Sequence, residues 1–460
     1  MGLRNKIAQY RAYKSGVKHC TFDPEGPGVV RVHLVPPKFS LFSSPSYLMI
    51  LNGYYVLPLG YSWAVLLSAF IDSVNEFGEG ELTEEETAEV FDKAVEYANG
   101  VYPDAAPEVL AADLDYILDV IFAVARGEEC DAEIEGLSVR AYAKHMTAPH
   151  RMDLAISSVA CSRGWRCNQK CIFCYAKDEK YSAVKELTTE EWKRCIDKLR
   201  QAGVPMLTFT GGEPTQRSDL VELVKYSSWF ITRVNTNGVL LTEGLASELR
   251  EAGLDSLQIT LYSSDEGIHN TLVGSTHFKD TVGGIKNALE AGLDVSVNTP
   301  LCSLNKDYLK TLEFLNSLGV RYVTVSGLIC TGGAAESHGA YDLSEEELYL
   351  AVKGAKEFCD GHGMEMDFTS PGLIPEEKLK EIGLKVPACG AALSNMSVAP
   401  DGTVVPCQSW LCEGAALGNI LEVPFKKIFD HKLCKKLRKM TEDEARDCPF
   451  RKEGGLKNEQ

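Results

Sequence analysis

Cys167-Asn-Gln-Lys-Cys171-Ile-Phe-Cys174-Tyr175 places three thiols within eight residues. Iron–sulfur clusters are held by cysteine thiolates, and a compact loop can wrap three irons of a four-iron cube. The loop has no fourth thiol, so the fourth iron would keep an open position, as catalytic metal sites do. A zinc knuckle completed by a distant ligand, or a chance cluster of thiols, are the alternatives that spacing leaves. Further along lies Thr210-Gly211-Gly212-Glu213-Pro214. Two glycines let the backbone approach a ligand closely, and the Glu213 carboxylate is an acceptor for a cationic amine. Taken alone, the same residues make an ordinary strand-to-helix turn. Asn235-Thr236-Asn237-Gly238 is another turn signal. Gln258-Ile259-Thr260-Leu261 ends an apolar run whose alternation turns a polar side chain inward.

The elements that must position these residues alternate in type. Strands are expected at Leu154–Val159, Met206–Thr210, Ile231–Asn235, Ser256–Leu261, Asp294–Asn298 and Arg321–Ser326. Helical patterns fall between them, near Thr189–Ala202, Ser218–Tyr226, Glu243–Ala252, Lys279–Ala291 and Lys306–Leu318. Repeated βα units build a parallel sheet, open or curled into a partial barrel. Sites on such sheets lie at the carboxyl ends of the strands, where all of these motifs fall.

Cys-x3-Cys-x2-Cys with Phe173 before the last Cys, then Gly-Gly-Glu, then Thr-Asn-Gly, in this order and at these strand ends, resembles the radical S-adenosylmethionine (SAM) superfamily over about residues 150 to 330. The resemblance implies an α/β fold with a partial (β/α)6 TIM-like barrel and a 4Fe–4S cluster on Cys167, Cys171 and Cys174. SAM would chelate the unique iron and be cleaved reductively to a hydrogen-abstracting 5′-deoxyadenosyl radical. By position, Glu213 would bind the methionine amine, with the Gly211 and Gly212 backbone beside it. Asn235 and Thr260 would contact the methionyl carboxylate or ribose, and Phe173 and Tyr175 would lie near the adenine. One departure stands out: relatives often carry Arg-Gly where this chain has Val273-Gly274, which leaves that ribose-side contact open.

The C-terminal region is read as α+β. Met396–Ala399, Pro400-Asp401-Gly402 and Thr403–Val405 predict a hairpin with an Asp-Gly turn, followed by a helix at Phe425–Lys439. Cys389, Gly402, Cys407, Leu417-Gly418-Asn419-Ile420 and Cys448 resemble the SPASM/twitch extension, which carries auxiliary iron–sulfur clusters. Four cysteines follow Cys389, at 407, 412, 434 and 448, so one auxiliary 4Fe–4S cluster fits better than two. Its ligands would be Cys389, Cys407, Cys448 and Cys434, with Cys412 or a three-thiol site open to substrate as alternatives. Buried free thiols are the bland reading. Cys195 falls on a helix face with Ile196 and Leu199, Cys302, Cys330 and Cys359 have no partner at ligand spacing, Cys161 is either a packed thiol or catalytic, and Asp153, Asp255 and His269 are read as structural or solvated.

Acidic residues (65) outnumber basic ones (47), a formal charge of −18. That balance argues against a nucleic-acid partner, which needs clustered cations. No apolar run of membrane-spanning length and no export signal is present. Fifteen cysteines without such a signal indicate thiols in a reducing compartment, the cytoplasm. Residues 1–130 form an N-terminal α+β domain, with strands at Val29–Val35 and Tyr47–Val56 and helices at Tyr61–Phe77, Thr83–Asn99 and Pro107–Arg126. Residues 131–150 form a linker, 151–335 the barrel and 336–460 the SPASM/twitch-like domain. The N-terminal element order resembles the winged-helix peptide-recognition elements of peptide-modifying radical SAM enzymes. What this implies is a ribosomally made peptide bound by its leader and crosslinked through a thioether or carbon–carbon bond, with electrons from a reductant such as flavodoxin or ferredoxin. The alternative is an oxidative dehydrogenase acting on a small molecule or a protein residue, as in sulfatase maturases. A scaffold without turnover is opposed by the intact Cys triplet and Glu213.

Overall fold

The computed structural model describes residues 10–11, 15–22, 30–37, 46–53, 55–78, 82–126, 128, 146–161, 164–177, 185–412 and 414–449. Most of the expected linker lies outside the described residues. The chain divides into two compact units. One runs to Ala148 and includes Leu199–Pro205; the other comprises Pro149–Lys198 and the chain from Met206 onward.

The first unit is an antiparallel sheet in the order β1 (Lys18–Phe22), β2 (Val30–Val35), β3 (Tyr47–Leu51), β4 (Tyr55–Leu59). Helices α1 (Tyr61–Glu76), α2 (Glu84–Val101) and α3 (Pro107–Arg126) follow. The single run expected at Tyr47–Val56 is two strands, because Asn52 and Gly53 both take positive φ and reverse the chain. β1 has no counterpart in the sequence reading: of its five residues only Cys20 is buried, so it carries almost no periodic signal. Thr83 starts α2 with a complete capping box to Glu86. Leu51, Leu66, Leu67, Ile71, Val90, Ala94, Leu114 and Ile121 share one core.

The second unit begins with β5 (Arg151–Ser157) and a small hairpin, β6 (Ala160–Cys161) with β7 (Gly164–Trp165). Strands then alternate with helices: α4 (Thr189–Ala202), β8 (Met206–Gly211), α5 (Leu220–Tyr226), β9 (Ile231–Thr236), α6 (Glu243–Glu251), β10 (Ser256–Thr260). Two helices follow β10, α7 (Glu266–Val273) and α8 (Phe278–Glu290), before β11 (Asp294–Pro300), α9 (Leu309–Ser317) and β12 (Tyr322–Ser326). Next come α10 (Gly332–Glu336), α11 (Glu345–Gly361), β13 (Glu365–Phe368) and α12 (Glu376–Glu381). The last elements are β14 (Asn395–Val398), β15 (Thr403–Val405), β16 (Gly418–Asn419), α13 (Phe425–Phe429), α14 (Lys432–Arg438) and α15 (Glu442–Ala445).

One sheet in the order β13-β12-β11-β10-β9-β8-β5-β14-β15-β16 contains all the larger strands of this unit. From β5 to β13 every pairing is parallel, as six βα units require. The expected hairpin forms, and β14 adds it in parallel to the free side of β5. α7 was not foreseen, although Asp265 caps its start and Gly274, at φ +59°, stops it in the left-handed conformation.

Strand alternation separates two faces. Leu207, Phe209, Val234, Leu257, Ile259, Val297 and Val325 are buried on one. On the other, pairing aligns Arg233 with Ser256, Asn235 with Gln258 and Ser296, and Thr260 with Asn298 and Thr324. Most of these polar residues are only half-buried, as in a lumen that reaches solvent.

α8 reaches the end of β9 by very close approach. Thr281 Oγ1 donates to the Asn237 carbonyl at 2.9 Å, and a Cβ on Gly284 would lie 2.2 Å from the Gly238 carbonyl oxygen. Gly284→Ala is therefore expected to destabilise the protein by about 1–3 kcal/mol in urea unfolding. Gly283→Ala, whose Cβ would meet nothing within 4 Å, should be neutral or stabilising by up to about 1 kcal/mol.

Candidate active site

The loop carrying Cys167, Cys171 and Cys174 follows β7 and is held by backbone from three other places. Cys167 N–H donates to the Val159 carbonyl at 3.2 Å, Lys170 N–H to Val273 at 2.8 Å and Ile172 N–H to Leu272 at 2.9 Å. Gly333 N–H donates to the Cys174 carbonyl at 2.9 Å. Added Cβ atoms on Gly332 and Gly333 would fall 2.3 Å from Cys174 O and 2.1 Å from Ile172 O. Phe173 anchors the loop among Tyr262, Leu272, Val273, Cys302 and Ala334. Val273-Gly274, the departure noted in the sequence, thus supports the loop through its backbone: a Cβ on Gly274 would meet Lys170 O at 2.5 Å. The Gly332-Gly333 support escaped sequence reading, because nothing local marks a glycine pair as touching a loop about 160 residues away.

The thiols are electrostatically crowded. Burial raises Cys167 to about 11, against hydrogen bonds from the Gln169 and Asn168 backbone, with Glu213 adding to the rise. Burial likewise pushes Cys171 well up, and Cys174, Cys167 and Glu213 push it further. Three thiolates here would repel each other in a poorly solvated site, and a multivalent cation is what compensates them. Among the described residues no three His, Cys, Asp or Glu side chains converge on a point the size of one metal ion. A cube of irons instead takes each sulfur to its own corner.

Glu213 stands at the end of β8, 2% exposed. Its Oε1 accepts from Thr215 N–H at 3.0 Å, Thr215 Oγ1 at 2.6 Å and Thr236 Oγ1 at 2.6 Å. Oε2 accepts from Asn237 N–H at 2.8 Å. Burial pushes this carboxyl up, opposed by those hydrogen bonds. The Asn237 amide then donates to Asn168 Oδ1 at 2.7 Å, linking β9 to the cysteine loop. A Cβ on Gly211 would lie 2.3 Å from Ser157 O, and one on Gly212 2.6 Å from Ser158 O, so both glycines are needed for the backbone of β5 and β8 to close up.

Asn235 and Thr260 lie on the polar strand face, and Tyr175 OH is 3.4 Å from Thr210 Oγ1 on the same face. Gln258 Nε2 donates to Thr324 Oγ1 at 3.2 Å, which donates to Asn298 Oδ1 at 2.9 Å. Three buried atoms, Asn168 Nδ2, Gln169 Nε2 and Asn235 Oδ1, have no hydrogen-bond partner among the described residues. Each such group costs about 1–3 kcal/mol unless a polar ligand meets it. Donor set, charge demand and unmet hydrogen bonds together fit an iron–sulfur cluster with a polar, amine-bearing cofactor.

A second triplet repeats the pattern. Burial raises Cys407, and the neighbouring Cys389 and Cys448 raise it further, so these two thiols stand near Cys407. Cys389 N–H donates to the Ala445 carbonyl at 2.6 Å. Cys434 is not brought to them: it is fully buried in α14, its Sγ 3.6 Å from the Ile428 carbonyl, beside Arg438. Cys412 Sγ lies 2.9 Å from the Tyr175 carbonyl oxygen, at the exit of the first cysteine loop. Cys195, Cys302 and Cys359 are core thiols; the Cys161 side chain lies outside the described residues. Asp153 is buried beside Arg151, Asp255 accepts from Thr232, and His269 accepts from Tyr262 N–H. Anaerobically reconstituted Cys434→Ala should keep the iron content of the parent and lose about 1 kcal/mol of stability, whereas Cys407→Ala should lose about one cluster of iron per chain.

Comparison with known proteins matches the two segments that carry the thiol triplets. The Radical SAM superfamily profile matches residues 163–315, and that of the SPASM iron–sulfur cluster-binding domain matches 389–449. An AdoMet-dependent heme synthase of Methanosarcina barkeri is 28% identical over 292 residues, 59% of this chain and 82% of that protein. A PqqA peptide cyclase of Bradyrhizobium diazoefficiens is 31% identical over 252 residues, 53% of this chain and 64% of that protein. Among solved structures, Streptococcus suis SuiB bound to the precursor peptide SuiA shares the fold, with a TM-score of 0.61 at 15% identity over 86% of this chain and 88% of that one. A radical SAM domain implies a 4Fe–4S cluster and SAM, and a SPASM domain implies auxiliary iron–sulfur clusters. With both domains placed on the barrel and its hairpin extension, the chain belongs to the radical SAM superfamily of enzymes, in its SPASM branch.

Proposed function

We propose that this radical SAM enzyme modifies a ribosomally made peptide, forming a thioether or carbon–carbon crosslink. Cys167, Cys171 and Cys174 would hold the SAM-binding cluster. When bound, cluster and cofactor supply the reductive cleavage that yields a hydrogen-abstracting 5′-deoxyadenosyl radical. Glu213 would receive the methionine amine: Oε1 already has three donors, while Oε2 has one and retains capacity for another. Gly211 and Gly212 would offer backbone beside it, Asn235 and Thr260 would meet the carboxylate or ribose, and Phe173 and Tyr175 would border the adenine. Cys389, Cys407 and Cys448 would hold one auxiliary cluster through three thiols, leaving its fourth position for substrate or another ligand. The polar strand face would orient what enters.

The observation that carries the peptide reading is the first unit, a separately cored sheet under three helices that radical chemistry does not itself require. It gives an extended peptide an edge to join by strand addition. On β1 the His19 carbonyl is already taken by Asn75 Nδ2 at 2.9 Å. β4 is the other edge, and Pro58 within it fits an edge position. The PqqA peptide cyclase and SuiB relatives support this reading. A second reading, oxidative chemistry on a small molecule, is favoured by the heme synthase, of which 82% is matched.

Alanine at Cys167, Cys171 or Cys174 should abolish 5′-deoxyadenosine formation under reducing, anaerobic conditions. Glu213→Gln should keep the unfolding midpoint of the metal-free chain yet weaken SAM binding to the reconstituted protein about tenfold or more, the loss of a charged hydrogen bond. Calorimetric titration checks this, and unchanged SAM affinity would remove Glu213 from the site. The peptide reading predicts binding of the leader of the precursor encoded nearest this gene at a Kd of about 1 μM or tighter, measured by fluorescence anisotropy. The small-molecule reading predicts none.

A further inference from the structure

The chain carries a formal charge of −18, yet residues 425–439 hold six lysines and Arg438 against Asp430 alone. α13 and α14 bury Phe425, Ile428, Phe429, Cys434 and Leu437, while Lys426, Lys427, Lys432, Lys435, Lys436 and Lys439 are exposed. Core packing explains the first set and not the second, since any polar residue satisfies an exposed position. Lys432 and Lys436, and Lys435 and Lys439, stand four apart, a spacing at which like charges oppose a helix. An anionic surface laid across the patch removes that repulsion.

Its position is as informative as its charge. The Arg438 guanidinium stacks 3.9 Å from the Phe429 ring centroid and donates to the Phe429 carbonyl at 2.7 Å. It also donates to the Ala392 carbonyl at 3.3 Å, three residues beyond Cys389. The chain then enters α15, whose Ala445 carbonyl holds the Cys389 N–H, and reaches Cys448. The lysine face is thus built on the segments that present two thiols of the second triplet.

We propose that this face docks an acidic one-electron carrier protein of the flavodoxin or ferredoxin type, which delivers its electron at the Cys389–Cys407–Cys448 site. The inference rests on reading that triplet as an iron–sulfur site. One electron leaves the carrier's reduced flavin or iron–sulfur centre and enters the auxiliary cluster; no bond is made or broken and no proton moves. Charge complementarity of this kind raises the encounter rate and makes it sensitive to salt.

The test uses the full chain, anaerobically reconstituted, with Lys432, Lys435, Lys436 and Lys439 replaced together by Glu. Cluster reduction is followed by stopped-flow absorbance with reduced flavodoxin, reduced ferredoxin, and reduced methyl viologen as a small cationic control. With the better carrier, the reversed variant should react about tenfold or more slowly, and the parent should slow as ionic strength rises. Methyl viologen should reduce the reversed variant at least as fast as the parent. Matching Lys→Gln replacements should give an intermediate rate, which separates charge from misfolding, and unfolding midpoints are compared alongside. Carrier rates unchanged by charge reversal would overturn the proposal. So would a reversed variant that loses only self-association or only peptide binding, making a second copy or an acidic substrate the occupant. Iron content is measured in parallel: a parent with one cluster refutes the auxiliary-site reading, whereas two clusters with an unaltered carrier rate refute the docking alone.

Discussion

Everything in the second unit is arranged around a charge that protein alone cannot tolerate. Three thiols stand beside a buried carboxylate: burial drives up Cys167 and Cys171, Glu213 adds to both, and the neighbouring thiols push Cys171 further. Deprotonating all of them without a cation would concentrate negative charge where water cannot screen it. An iron–sulfur cluster converts that penalty into ligation, since its irons supply the missing positive charge where the thiolates converge. A cationic amine would do the same for Glu213. The polar atoms left without partners near the loop complete a site whose chemistry is specified by what it lacks.

Holding such a site requires a frame that does not yield to the repulsion. The loop's own hydrogen bonds are short-range, Cys174 N–H to the Cys171 carbonyl and the Asn168 and Gln169 backbone to Cys167. Support comes from the ends of α7 and α10, through backbone contacts so close that no side chain fits between them, and from the segment after β8, where the Gly212 carbonyl lies 3.4 Å from Cys167 Sγ. Glu213, Thr236, Asn237 and Asn168 then tie two strand ends to the loop through short hydrogen bonds. Placing a site at the carboxyl ends of parallel strands lets several strands each contribute a group without disturbing the apolar face on which the helices pack.

The hairpin that follows extends the same sheet. β14 pairs with β5 residue for residue, Asn395 with Arg151 through Val398 with Leu154, so the region bearing the second triplet is anchored to the strand that leads into the first. Thr331 Oγ1 donates to the Ser409 carbonyl at 3.1 Å, and Cys412 meets the Tyr175 carbonyl. The polypeptide around the two sites is therefore continuous through hydrogen bonds, which gives the SPASM extension a structural role in the barrel besides the cluster chemistry its family implies.

The amino-acid sequence alone determined the three-thiol loop, the parallel βα order, the Gly-Gly-Glu and Thr-Asn-Gly strand ends and the Asp-Gly hairpin. These are local patterns: spacing, alternation and turn chemistry are written in neighbouring residues. It could not tell which of Cys412, Cys434 and Cys448 stands near Cys389 and Cys407, because that depends on where distant segments meet. Tertiary structure put Cys448 with Cys389 and Cys407, buried Cys434 under Arg438, and turned Cys412 toward Tyr175. It also gave Val273-Gly274 and Gly332-Gly333 their meaning, since a glycine chosen for close approach is marked only by the atom it approaches. β1 and β13 escaped for a related reason: strands of four or five residues get their stability from the neighbour they pair with, and pairing is a property of the folded chain.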